Sequence, residues 1–66
     1  MPAYRVYCLR RGKIVSGDYL EAGDDRDAIT KALARKRDTD CELWLGGRLV
    51  ATLPLNGEPV LKDSPP

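Results

Sequence analysis

Between Cys41 and Leu53 two runs of alternating residues flank a Gly46-Gly47 pair, and no other feature restricts the fold of this chain as tightly. Cys41-Glu42-Leu43-Trp44-Leu45 and Arg48-Leu49-Val50-Ala51-Thr52-Leu53 have the period-two pattern of strands, and adjacent glycines suit the positive φ of a two-residue primed turn. The segment reads as a β-hairpin. Simple alternation sets Cys41, Leu43 and Leu45 on the same side as Leu49, Ala51 and Leu53, which leaves Glu42, Trp44, Arg48, Val50 and Thr52 on the reverse.

A second hairpin is expected at the other end of the chain. Ala3 to Leu9 is rich in aromatic and β-branched residues, with Tyr4, Val6 and Cys8 alternating against Arg5, Tyr7 and Leu9. Arg10-Arg11-Gly12-Lys13 supplies a turn, where Gly12 takes a positive φ without a Cβ clash, and a strand resumes from Ile14 to about Ala22. Gly17-Asp18 favours an irregularity in the middle of that strand.

A helix follows. Asp24 is the expected N-cap, and Asp25 and Asp27 complement the positive end of the helix dipole. From Asp25 to about Arg37 the apolar positions Ala28, Ile29, Ala32 and Leu33 form one narrow stripe, with Lys31, Arg35, Lys36 and Arg37 toward the end that favours cations. After Pro54 the periodicity stops. The organisation is one domain over residues 1–54 and a flexible proline-rich tail over 55–66, in which Val60 and Leu61 are the residues able to dock on an edge.

The predicted fold class is α+β: ββαββ, a four-stranded antiparallel sheet with one helix on one face. A chain of 66 residues lies near the lower limit for a core that stands unaided, so a disulfide, a metal or a partner subunit is looked for. Cys8 and Cys41 sit in strand-like runs and read as small core hydrophobes rather than as a disulfide. With no histidine and no CxxC spacing, neither a metal site nor a cofactor is expected. A partner subunit remains. No apolar run approaches the roughly 20 residues of a membrane span, and the start of the sequence lacks a signal-peptide core, so a cytoplasmic protein is expected.

One helix covers one side of a sheet. The reverse side is expected to carry Tyr7, Tyr19, Trp44, Val50 and Arg48, with Val15 and Arg5 beside them, as a surface for a homodimer or another protein partner. Catalysis is not expected: histidine is absent, Ser16 and the threonines have no activating base, Asp24, Asp25 and Asp27 are explained by capping, and Asp18 and Glu21 stand alone. The alternative is a nucleic-acid-binding accessory protein, with Arg10, Arg11, Lys13 and Arg48 on phosphates and Trp44 stacking on a base. A net charge of +1 gives that alternative little electrostatic support.

Tyr4-Arg5-Val6-Tyr7-Cys8-Leu9, Gly12-Lys13-Ile14-Val15, Glu21-Ala22, Cys41-Glu42-Leu43-Trp44 and Gly47-Arg48-Leu49-Val50-Ala51 together resemble a group of short hypothetical proteins from alphaproteobacteria. The resemblance spans about residues 2–53, excludes the tail, and implies a bacterial, cytoplasmic protein and nothing catalytic.

Overall fold

The computed structural model describes residues 2–35 and 39–61. Strand β1 (Ala3–Arg10) and β2 (Lys13–Glu21) form the first hairpin, α1 (Asp25–Arg35) follows, β3 (Asp40–Leu45) and β4 (Arg48–Leu53) form the second hairpin, and β5 (Val60–Leu61) closes the order. The strands make one antiparallel sheet in the order β2-β1-β3-β4-β5. The four expected strands and the helix are present, and a fifth strand adds to them. Val60 pairs with Thr52 and Leu61 with Ala51, so part of the segment expected as a flexible tail extends the sheet. Lys36 and Arg37, expected at the end of the helix, lie outside the described residues.

Local chemistry explains the connections. In the β1–β2 turn both central residues, Arg11 (φ 54°) and Gly12 (φ 78°), are left-handed, which matches the twist of the strands they join. Gly46 (φ 60°) does the same at the first central position of the β3–β4 turn. Asp24 caps α1: its Oδ1 accepts from the Asp27 amide at 2.8 Å, and Asp27 Oδ2 accepts from the Gly23 amide at 3.1 Å. These reciprocal bonds satisfy backbone donors that a helix start leaves open.

Two β-bulges depart from simple alternation. Cys41↔Leu53, Glu42↔Thr52 and Leu43↔Ala51 are in step, but the ladder then shifts to Trp44↔Leu49 and Leu45↔Arg48, leaving Val50 as the extra residue. An inserted residue reverses the facing of everything beyond it. Arg48 therefore lies on the helix side, where it meets α1, and Val50 is buried in the core at 1 % exposure. Both expected positions on the reverse face are corrected by this one residue, and Leu49 takes their place there beside Trp44. The second shift, between Cys8 and Leu9, leaves Val15 unpaired and turns it toward the helix side, so Val15 also leaves the expected surface. The irregularity expected at Gly17-Asp18 falls instead at Val15, and Gly17 is paired in register with Tyr7.

The core lies between the sheet and α1. Ala28 and Ala32 are fully buried, and their small side chains let the helix approach Tyr4, Val6, Leu20, Leu43 and Leu53 closely. Leu33, expected in the same stripe, is 40 % exposed. Cys8 and Cys41 face each other across β1 and β3 and are joined as a disulfide, which corrects their reading as unlinked core residues. Strand context argued against a staple, yet it is this strand pairing that brings the two thiols together.

Candidate interaction surface

The side of the sheet away from α1 is built from residues of odd parity on β1 and their cross-strand partners. One rung runs Tyr19, Arg5, Trp44, Leu49 across β2, β1, β3 and β4. The next runs Gly17, Tyr7, Glu42, Thr52 and then Val60, and a third joins Ile14, Leu9 and Asp40. Tyr19 and Ile14 remain 65 % and 60 % exposed, whereas Tyr7, Leu9, Trp44 and Leu49 are half-buried by one another. No element among the described residues crosses this face.

The side chains are braced. The Arg5 guanidinium lies 5.1 Å from the Tyr19 ring centroid, and its Nη1 donates to the Tyr7 hydroxyl oxygen at 3.0 Å. Both contacts keep Arg5 flat on the sheet, its cation over an aromatic face. The Tyr7 ring lies over Gly17, where an added Cβ would come within 3.2 Å of it, so the absent side chain makes room for the ring. Trp44 Nε1 donates to Glu42 Oε1 at 3.2 Å, which fixes the indole along β3. The result is a rigid apolar and aromatic surface with few rotamers left to freeze on contact. Among the described residues its charges are Arg5 against Glu21, Glu42 and Asp40, the last accepting from the Leu55 amide at 2.7 Å.

Of the expected contact residues, Tyr7, Tyr19 and Trp44 fall together on this face, while Arg48 and Val50 do not. Sequence reading missed Leu49 and Ile14, because their facing depends on the bulges. The phosphate-contact set is divided: Arg10, Arg11 and Lys13 surround the β1–β2 turn, whereas Arg48 begins β4 beside Leu45, at the opposite end of the sheet.

Arg48 is occupied there. Its Nη1 and Nη2 reach the Asp25 carboxylate at 3.4 Å, and the Tyr4 hydroxyl donates to Asp25 Oδ1 at 2.7 Å. Burial, reinforced by the Asp25 charge, pushes the Tyr4 pKa up to about 12. The Tyr4 hydrogen bond, followed by that from Arg48, holds the Asp25 carboxyl below its ordinary range. This trio ties the helix start to the sheet. Beside it, a groove of about 600 Å³ between α1 and β4–β5 is lined by Ile29, Val50, Pro59 and Leu61, with Asp25 and Glu58 at its rim.

Among the described residues no cluster of three or more metal-ligating side chains occurs, and no helix is long and apolar enough to cross a membrane. Compared with protein families, with curated proteins and with solved structures, the chain matches none.

Proposed function

We propose that this chain is a small non-enzymatic interaction module that acts through the uncovered face of its sheet and associates there with a second copy of itself. The observation that carries the reading is the continuous Tyr19–Arg5–Trp44–Leu49 rung, flanked by Tyr7, Leu9 and Ile14, on the side that α1 leaves open. Contiguous apolar surface of this kind marks interaction sites on soluble domains.

The face is a better candidate than the edges. Edge strand β2 has a bulge at Val15 and the charged Asp18 on its helix side, and β5 is two residues long with Pro59 before it. Those are features by which proteins blunt sheet edges. The face also contains both signs of charge, so a two-fold copy can set Arg5 against Glu42 while the aromatic rungs pack sheet on sheet. Three acids against one arginine make it a poor match for phosphates, and the basic residues that would serve nucleic acid are split between two ends of the sheet. A cytoplasmic location, which the resemblance also implies, forms part of the proposal.

Sedimentation velocity over a concentration series tests the proposal, with a dimer expected on the order of 100 μM or below and a monomer in Tyr19→Glu and Trp44→Glu. A wild-type chain that stays monomeric throughout that range removes the self-association reading. A dimer unaffected by either substitution moves the contact off this face.

A further inference from the structure

The Cys8–Cys41 disulfide lies on the other side of the sheet, and its surroundings assign it chemistry independent of the docking face. Cys41 has no exposed surface, whereas Cys8 is half-buried and lines a surface depression of about 220 Å³ with Arg10, Val15, Ser16, Asp18, Arg35 and Thr39. Cys8 thus borders the depression, whereas Cys41 is closed to solvent. Among the described residues, the charged groups facing the depression are Arg10 from β1, Arg35 from α1 and Asp18 from β2, and Arg35 Nη1 also donates to the Tyr19 carbonyl at 2.8 Å. Two cations against one carboxylate favour an anionic approaching thiolate. The Thr39 hydroxyl stands 3.8 Å from Cys41 Sγ, placed to donate to a thiolate formed there.

We propose that Cys8–Cys41 is a thiol–disulfide exchange site for a small anionic thiol, with Cys8 the sulfur attacked. The incoming thiolate forms a bond to Cys8 Sγ as the Cys8–Cys41 bond breaks, and the electron pair leaves on Cys41 Sγ as a thiolate. A second thiolate attacks the outer sulfur of the mixed disulfide, expelling the Cys8 thiolate and releasing the thiol's own disulfide. Two protons from solvent complete the dithiol. The protein gains two electrons and the two small thiols lose them. Exchange removes the cross-link but not the ladder from Arg5↔Trp44 to Leu9↔Asp40, which is what holds β1 against β3 in the less stable dithiol form.

The test exposes the oxidised chain in native buffer to reduced glutathione, quenches by alkylation, and maps the adduct by peptide mass. Glutathionylation at Cys8 with free Cys41 is expected, with far-ultraviolet circular dichroism unchanged. The rate with glutathione relative to neutral 2-mercaptoethanol should fall about two- to fivefold in Arg10→Glu and rise about twofold in Asp18→Asn, as unit charges several ångströms away through water dictate. An adduct on Cys41, reduction only where the chain unfolds, or a ratio unmoved by both substitutions overturns the assignment.

Discussion

Replacing Tyr4 by Phe should destabilise the chain at neutral pH and stabilise it, relative to wild type, in strong alkali. The ring is 1 % exposed and keeps its packing as Phe, so the change removes only the hydroxyl that donates to Asp25 Oδ1 at 2.7 Å. A hydrogen bond to a charged group contributes about 1.5–3 kcal/mol, and Asp25 retains Arg48 and some access to water, so a loss of about 1–1.5 kcal/mol is expected at pH 7. Alkali reverses the sign. The Tyr4 pKa rises from 10.0 to about 12 on folding, chiefly through burial, so its contribution is whole below pH 10 and is lost as pH climbs toward 12. Linkage puts the wild-type loss at about 1 kcal/mol by pH 11 and about 2 kcal/mol by pH 12, while Phe has no proton to lose. The two stabilities should therefore cross near pH 11, on the same arithmetic. Urea unfolding of both proteins from pH 7 to pH 11.5, followed by Trp44 fluorescence, reads the difference directly. A wild-type advantage that stays constant across that range would refute the placement of the buried Tyr4 hydroxyl against the Asp25 carboxylate.

The bulge in β4 makes neighbouring residues unequal: Val50→Ala should cost about 2 kcal/mol and Leu49→Ala less than about 1 kcal/mol in urea unfolding, and the opposite order would restore simple alternation. Asp24→Ala removes the acceptor of the Asp27 amide and should cost about 1 kcal/mol, with Asp24→Asn retaining most of it in the same assay. Reducing the disulfide, which links residues 33 positions apart, should lower stability by about 3–4 kcal/mol through the freed unfolded chain, measured by unfolding with and without reductant. As pH falls below about 4, Asp25→Asn should lose less stability than wild type, because the wild-type carboxylate has a depressed folded-state pKa and its contribution disappears on protonation.

Local pattern carried the element types. The glycines at 12 and 46 mark turns whose φ values only glycine adopts freely, and Asp24 with Asp27 marks a helix start through bonds made within five residues. Facing was harder to read. Nothing in Arg48-Leu49-Val50-Ala51 distinguishes a bulge from regular alternation, and Val50 is turned inward only in the paired sheet. The Cys8–Cys41 bond was hidden for a related reason: each hairpin is written locally, but the register of β1 on β3 is settled by packing between segments some thirty residues apart. Tyr7, Tyr19 and Trp44 were legible as members of one face because their parity is unaffected by either bulge.

The strand order also sets a sequence of events in time. β1 is an interior strand, and the two hairpins meet only where it touches β3. On the ribosome, β1 therefore pairs first with β2 and then keeps its other flank bare while roughly twenty more residues are added, an interval on the order of seconds. Whatever shields that flank, whether α1 folding back early or a chaperone, governs how much of each newly made chain escapes pairing with a stranger.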